Sequence, residues 1–267
     1  MADTGALVKV ALGAAEVAAE IMRTRGPGLV TAKGERDMAT EVDYAVEREV
    51  RAYLRERTPD IAVLGEEEGM SGDAGNDLVW AIDPVDGTAN FARGIPLCGF
   101  SLGLLERGRA VAGVIDLPFL GNRYHAALGE GAYDGDRRIR ASATTDLRQV
   151  IVSLGDYAVG DEPDYKNRVR LHLTERLAAT VQRIRMLGSA AIDLAWVADG
   201  KLDACVILSN KPWDTAAGVA IAREAGARVI DQDGSEHDVD SEATLAVTPA
   251  FADEIAAMVR EATERVR

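Results

Sequence analysis

One segment constrains this chain more than any other: residues 80–88, where a run of apolar residues ends in two aspartates. The apolar run predicts a buried strand that ends directly at Asp83. The proline that follows fixes its own φ and stiffens the turn, so the carboxylates of Asp83 and Asp86 are expected to converge beyond the strand end. Gly87 allows close backbone approach, and Thr88 is placed to begin a helix whose free N–H groups suit a phosphate. Taken alone, the segment is equally compatible with an ordinary turn, because Asp, Pro and Gly are turn residues.

Three other acidic positions have a similar setting. Glu66 follows an apolar strand over 61–64, Asp214 follows another apolar strand and opens a helix, and Asp43 lies in the first turn of a helix. Each alone has a simpler interpretation, as a solvated charge run, a helix cap or a first-turn acid. Together they predict a metal site, because carboxylates that gather in one place need a compensating charge. Oxygen ligands without histidine or cysteine select Mg²⁺ or Mn²⁺, and two or more such ions clamp a phosphate and activate water.

Composition narrows the classes of function. The chain has 267 residues and a net charge of −14, which argues against a nucleic-acid partner. A phosphate substrate would also be repelled unless bound cations reversed the local field. Cys98 and Cys205 lack metal-ligand spacing and predict core residues of a reducing compartment. Three scattered histidines argue against a histidine metal site or a serine–histidine triad. With no signal peptide or membrane span expected, the prediction is a cytoplasmic protein.

Hydrophobic periodicity divides the chain into two halves, residues 1–142 and 143–267, with a boundary near 138–146. The first half predicts helices packed on a largely antiparallel sheet, and the second alternates strands and helices as in an α/β layer. The fold class is therefore α+β / α/β. Helices are predicted at 6–23, 40–58, 161–180, 189–198, 213–225 and from 249 onward, and strands at 61–64, 78–82, within 97–116 and 122–140, and at 150–153, 183–187, 202–208, 228–230 and 244–247.

Four motifs together resemble those of the inositol monophosphatase family of lithium-sensitive, Mg²⁺-dependent phosphatases. They stand here as Asp37–Asp43, Gly65-Glu66-Glu67, Asp83–Thr88 and Trp213-Asp214, and 188–191 is similar to a further family segment that lines the substrate site. The resemblance covers nearly the whole chain. It implies a layered α-β-α-β-α sandwich, commonly a homodimer, that acts on a small phosphorylated metabolite.

The resemblance also implies a ligand set for two to three Mg²⁺ ions, with Mn²⁺ as a substitute. Glu66, Asp83 and the Val85 carbonyl would hold the first ion, and Asp83, Asp86 and Asp214 the second. A third, weaker ion would lie near Glu66 through waters.

The remaining implied roles concern water and substrate. Thr88, hydrogen-bonded to Asp43, would position or deprotonate the attacking water with help from Glu66. The Gly87 and Thr88 amides would hold the phosphate, and Lys33 loosely matches a basic residue near the metals. The substrate-binding residues implied are Asp86, Gly87, Thr88, Gly188, Ser189, Ala190, Ile207, Lys211 and Asp214.

One position departs from the family pattern. Inositol-specific members carry a glutamate that reads ring hydroxyls, and Ile207 occupies that position here. Lys211, in the same loop, is either simply solvated or contacts a second anionic group of the substrate. Inositol phosphate, histidinol phosphate, a sugar phosphate or bisphosphate and a nucleotide-derived phosphate all remain candidate substrates. A non-catalytic regulator on the same fold and a simple cation-binding domain are the alternative classes.

Overall fold

Two large sheets, a two-stranded sheet and seven α-helices are present in the part of the chain that the computed structural model describes, residues 3–34, 37–73, 75–160 and 162–266. The helices are α1 (Thr4–Thr24), α2 (Glu41–Arg57), α3 (Thr88–Ala92), α4 (Pro163–Ala178), α5 (Ala190–Ala198), α6 (Pro212–Glu224) and α7 (Ala252–Glu264). The strands of the larger sheet are β3 (Ala62–Gly65), β4 (Gly69–Ser71), β5 (Leu78–Asp86), β6 (Gly99–Glu106), β7 (Arg109–Leu117), β8 (Asn122–Ala127), β9 (Gly131–Asp134) and β10 (Arg137–Arg138). Those of the smaller sheet are β11 (Ile151–Leu154), β12 (Arg183–Arg185), β13 (Ala204–Ile207), β14 (Arg228–Ile230) and β15 (Thr244–Val247). A separate hairpin joins β1 (Val30–Gly34) to β2 (Asp37–Thr40).

The larger sheet has the strand order β10-β9-β8-β7-β6-β5-β3-β4. Its neighbours pair antiparallel except for β3 and β5, which run parallel with Gly65 opposite Ile82. Because parallel strands end at the same edge of a sheet, this one exception brings the residues that follow β3 and the last residues of β5 together. The Glu66 N–H donates to the Ile82 carbonyl at 3.1 Å, which continues the pairing one residue past β3.

The smaller sheet is mixed, with the order β12-β11-β13-β15-β14. The strands β12, β11 and β13 are parallel, and β15 runs antiparallel to both β13 and β14. The helix α4 connects β11 to β12 and α5 connects β12 to β13, because parallel strands need a crossover connection.

Three apolar cores separate the layers. One lies between α1, α2 and the larger sheet, a second encloses α5 and α6 between the two sheets, and a third packs α4 and α7 on the outer face of the smaller sheet. The resulting order is α-β-α-β-α, which confirms the predicted layered sandwich. In the described part of the chain, no helix is both long and apolar enough to cross a bilayer.

The middle helix layer lies unusually close to the larger sheet. Gly103 of β6 and Gly113 of β7 are directly opposite each other, and α6 rests on this pair. A Cβ atom added at Gly103 would lie 2.6 Å from the Ala217 nitrogen, and one at Gly113 would lie 2.5 Å from the Ala217 Cα. The absence of side chains at these two positions therefore sets the distance between α6 and the larger sheet. It also sets the position of Asp214, which lies in the first turn of α6.

Most predicted elements lie within a few residues of the observed ones, and three differences matter. The β1–β2 hairpin and β4 were not predicted, because strands of three to five residues are too short to show a periodic apolar pattern. The strand predicted to end at 82 continues to Asp86, with an irregular register between Asp83 and Asp86. The chain passes from the larger to the smaller sheet between residues 138 and 151, and the division into halves at 142/143 stays a prediction.

Candidate active site

The end of β5 places two aspartates in a nearly dry environment. Asp83 is 3% exposed and Asp86 is 7% exposed. The Val85 N–H donates to Asp83 Oδ1 at 3.0 Å, which folds the turn around the proline between the two acids. Gly87 follows with a φ of +86°, and a Cβ there would come within 2.8 Å of the Leu97 carbonyl. Only glycine suits this position, because φ lies in the left-handed region and the space is already filled.

Three carboxylates converge beyond this turn. Glu66, Asp83 and Asp214 each offer an oxygen atom, and these oxygens all lie within 4.8 Å of one another. They come from the end of β3, the end of β5 and the first turn of α6, so three elements contribute one ligand each. The structure thus brings together residues separated by more than a hundred positions in the sequence.

Charge repulsion within this cluster would be relieved by a bound cation. Burial and then the charges of Glu66, Asp86 and Asp214 raise the pKa of Asp83 well above its usual range. Burial and then the nearby Asp86 raise the pKa of Asp214 to about 8. Both carboxyl groups therefore resist ionisation at neutral pH. A divalent ion would supply positive charge and favour the ionised, metal-binding form. An all-oxygen donor set suits Mg²⁺ or Mn²⁺.

Asp86 has a different set of partners. It accepts hydrogen bonds from the Ser189 hydroxyl at 2.9 Å, from the Ala190 N–H at 3.2 Å and from the Ala191 N–H. Burial raises its pKa to about 6, although these donors act in the opposite direction. Through these hydrogen bonds, Asp86 connects the N-terminus of α5 to the end of β5. A carboxylate has about four lone-pair sites, so one remains for a further ligand.

Asp43 and Thr88 are in contact, as predicted. The Thr88 hydroxyl lies 3.1 Å from Asp43 Oδ1 and 3.0 Å from the Val85 carbonyl oxygen, and it can donate its one hydrogen to either of these acceptors. Asp43 Oδ2 accepts the Thr40 N–H at 2.8 Å, which closes a capping box at the start of α2. Burial raises the pKa of Asp43, although hydrogen bonds from Thr40 partly oppose that rise. The side chain of Asp37, the first position of this motif, lies outside the described part of the chain.

Lys33 reaches the acidic cluster from the β1–β2 hairpin. Its Nζ donates to Glu66 Oε1 at 2.7 Å and to Glu67 Oε1 at 2.9 Å. Burial alone would lower the pKa of Lys33, but the two carboxylates outweigh it and raise the pKa. The loose match made from the sequence thus corresponds to a direct contact.

A buried ion pair under the Glu66 loop was missed by sequence reasoning. Glu47 accepts the Glu67 N–H at 2.8 Å and the Glu68 N–H at 3.0 Å, and it pairs with Arg51 at 2.7 Å. Arg51 in turn donates to the Gly69 carbonyl at 2.5 Å. The pair could have been predicted from the sequence, because Glu47 and Arg51 are oppositely charged, four positions apart, and on the apolar side of α2. The pair fixes the turn that carries Glu66.

A cavity of about 630 Å³ opens next to the carboxylates and lies within the usual range for small-molecule sites. Seven of the nine predicted substrate-binding residues line it: Asp86, Gly188, Ser189, Ala190, Ile207, Lys211 and Asp214. Gly87 and Thr88 are not among the described residues that line it, since Thr88 faces Asp43 instead. Phosphate binding by the Gly87 and Thr88 amides stays a prediction.

Comparison with known proteins decides the family. The chain matches the profile of the inositol monophosphatase family over residues 3–264. This chain is a member of the inositol monophosphatase family.

The relatives of this chain include proteins named as phosphatases and proteins named as Nus factors. The chain is 37% identical to the inositol-1-monophosphatase ImpA of Mycolicibacterium smegmatis over 84% of this chain and 80% of that one. It is 36% identical to the Nus factor SuhB of Xylella fastidiosa over 78% of this chain and 74% of that one. A solved inositol monophosphatase (IMPase) structure from Thermotoga maritima superposes with a TM-score of 0.88 at 30% identity, covering 97% of this chain and 99% of that one.

Proposed function

We propose that this family member is a Mg²⁺-dependent phosphatase that hydrolyses a small phosphate monoester by attack of an activated water. The observation that carries the proposal is the convergence of Glu66, Asp83 and Asp214 within 4.8 Å at the edge of a substrate-sized cavity. Two to three Mg²⁺ ions would be held by these three carboxylates, Asp86 and the Val85 carbonyl. When bound, such ions neutralise a phosphate and increase the acidity of water.

The chain's own residues then position the attacking water. The Thr88 hydroxyl has one hydrogen to donate, to Asp43 or to the Val85 carbonyl, so its lone pairs remain free to accept a hydrogen bond from water. Glu66, at the cluster, would take up the proton that the water loses. The water oxygen would form a bond to phosphorus as the bond from phosphorus to the alkoxide oxygen breaks in line. The leaving alkoxide takes a proton from solvent water, and Glu66 returns the proton it accepted to the solvent, so the protons balance. No covalent intermediate with the protein is required.

The apolar wall of the cavity argues against inositol 1-phosphate as the best substrate. Ile207 is 7% exposed and lines the cavity at a position where a hydroxyl-reading carboxylate is absent. Burying a ring hydroxyl there without a partner costs about 1–3 kcal/mol, or roughly five- to more than a hundredfold in kcat/KM. A phosphate monoester with fewer hydroxyls is favoured.

The test is phosphate release from a panel of monoesters with Mg²⁺, with Mn²⁺ and with excess EDTA. Activity should require the metal, and Asp83→Asn should reduce kcat by at least about 10²–10³-fold, because Asp83 would contact both principal ions. Li⁺ at high millimolar concentration should inhibit. Full turnover in EDTA, or a loss below about tenfold in Asp83→Asn, would contradict the metal assignment.

A second candidate is a regulatory role without catalysis, favoured by the similarity to a protein named as a Nus factor. A regulator needs no water-positioning pair, so the Thr88–Asp43 contact argues for catalysis. A folded chain that binds Mg²⁺ yet releases no phosphate from any monoester of the panel would favour the regulatory role. A homodimer, a cytoplasmic location and the absence of a nucleic-acid partner stay predictions.

A further inference from the structure

Three positively charged side chains line the cavity beside the carboxylate cluster. Lys166 and Arg170 of α4 and Lys211 at the start of α6 all line the cavity. Among the described residues, none of the three forms an ion pair with a carboxylate, although the chain as a whole carries a net charge of −14. Three unpaired cations around one cavity of an acidic protein call for an explanation.

Arg170 is held in a fixed position. Its guanidinium donates to the backbone carbonyls of Asp156 at 3.1 Å, Lys166 at 3.2 Å and Leu208 at 3.0 Å. These carbonyls come from the loop after β11, from α4 itself and from the residue that follows Ile207. Neutral carbonyls leave the positive charge uncompensated, and burial lowers the pKa of Arg170 without neutralising it. A guanidinium has five N–H donors, so donors remain for a ligand.

Lys211 is the cation of this set that lies nearest in the chain to a member of the carboxylate cluster. It is exposed, its Nζ lies 5.8 Å from the centre of the Trp213 ring, and it stands three residues before Asp214. Besides Asp86 and Asp214, three carboxyl groups line the cavity: Asp156, Asp193 and Glu242. Burial raises the pKa of Asp193 well above its usual range, and the Gln232 side-chain amide donates to Glu242. Away from Asp86 and Asp214, the cavity lining thus holds three cations, the two carboxylates of Asp156 and Glu242, and the buried carboxyl group of Asp193, whose ionisation is opposed by burial.

We propose that this basic wall, formed by Lys166, Arg170 and Lys211, binds a second anionic group of the substrate, a phosphate or a carboxylate, while the scissile phosphate lies at the carboxylate cluster. The proposal rests on the proposed function and names its substrate class: a phosphate monoester with a second anion separated from the first by an apolar or lightly hydroxylated spacer. Ile207 lies next to Leu208, whose carbonyl anchors Arg170, so an apolar surface borders the basic wall. Such a site selects for charge at the far end of the substrate and for spacer length.

The experiment compares three series of equal chain length: alkyl monophosphates, α,ω-alkanediol bisphosphates and ω-carboxyalkyl phosphates. The readout is the ratio of kcat/KM for each dianionic compound to that of its alkyl parent, with Mg²⁺ present. At the best length the ratio should reach about 10- to 100-fold, the value of a charge-assisted hydrogen bond, beyond the statistical factor for two equivalent phosphates. The bisphosphate and carboxylate series show which anion is preferred.

Variants locate the effect. Lys166→Met and Lys211→Met should each reduce the ratio toward one, and Arg170→Lys should reduce it less than Arg170→Met. Lys166 is exposed, so its variant is expected to fold even if an Arg170 variant does not. Lys9→Met, which removes an exposed charge on α1 across the larger sheet, is the matched control and should leave the ratio unchanged.

Two failures are distinguishable. If the alkyl monophosphates are hydrolysed but the ratio stays near one at every length, or if Lys166→Met and Lys211→Met leave it unchanged, the second-anion site is wrong and the proposed function stands. If no series releases phosphate from the folded, Mg²⁺-bound chain, the proposed function fails and the basic wall fails with it.

Discussion

Replacing Gly103 by alanine tests whether the close contact between α6 and the larger sheet sets the position of Asp214. The added Cβ would lie 2.6 Å from both the Ala216 Cβ and the Ala217 nitrogen, whereas ordinary contact begins at 3.4 Å. The difference, 3.4 − 2.6 = 0.8 Å, is the distance by which α6 must move away. Because Ala216 lies two residues after Asp214, the carboxylate moves with the helix.

The expected cost has two parts. Overpacking of a close contact reduces the free energy of unfolding by about 1–3 kcal/mol. A displacement approaching 1 Å at a catalytic group reduces turnover by up to about 10²-fold. Mg²⁺ affinity should fall as well, since Asp214 leaves the cluster that it forms with Glu66 and Asp83.

Urea unfolding measures the first part, and phosphate release over a range of Mg²⁺ concentrations measures the second. Gly26→Ala is the matched control, because a Cβ there meets no atom within 4 Å and its φ is not in the left-handed region. The control should remain within about 1 kcal/mol of the original chain and retain its activity. If Gly103→Ala behaves like Gly26→Ala in both assays, the contact does not position α6 and the reasoning is wrong.

Three further predictions concern the site itself. Thr88→Ala should lower kcat by about 10²-fold or more while Mg²⁺ affinity, measured by calorimetry, stays nearly unchanged, because its proposed role is the water; an equal loss of metal binding would contradict that role. Glu47→Gln should cost up to about 3–5 kcal/mol of stability in urea unfolding and weaken Mg²⁺ binding, since it leaves the buried Arg51 with only the half-exposed Glu68, at 3.5 Å, as a charged partner and loosens the Glu66 turn; a change below about 1 kcal/mol would show that the pair is dispensable. The pKa values of Asp86 and Asp214 are raised to about 6 and about 8, above their usual 3.8, so the metal-free chain should lose stability as pH rises from about 4 to 8 and these groups ionise. Over the same interval protons cease to compete for the ligand oxygens, so the gain in Tm on adding Mg²⁺ should be larger at pH 8 than at pH 6; an equal gain at both pH values would refute the coupling.

The sequence alone determined the local features of this protein. The apolar run that ends at Asp83 and the helix start at Thr40 are written in neighbouring residues, because strand and helix periodicity and capping depend on positions only a few residues apart. Acidic residues that follow apolar strands also predicted a metal site. The α-β-α-β-α sandwich and the assignment of ligands to individual ions came from the resemblance carried by four short motifs. The structure confirms the layers and brings Glu66, Asp83 and Asp214 together, while their roles stay proposals.

Only the tertiary structure decided which distant residues meet. The parallel pairing of β3 with β5 places Glu66 beside Asp83, and the facing glycines at 103 and 113 set the depth of α6. The buried Glu47–Arg51 pair of α2 likewise contacts the turn at 67–69, and Arg170 of α4 contacts the Asp156 and Leu208 carbonyls. Periodicity reports that a face is buried but not which surface covers it, because the burial energy of apolar groups is non-directional. The hydrogen-bond and ion-pair partners of the polar groups are therefore determined by how the layers pack against one another.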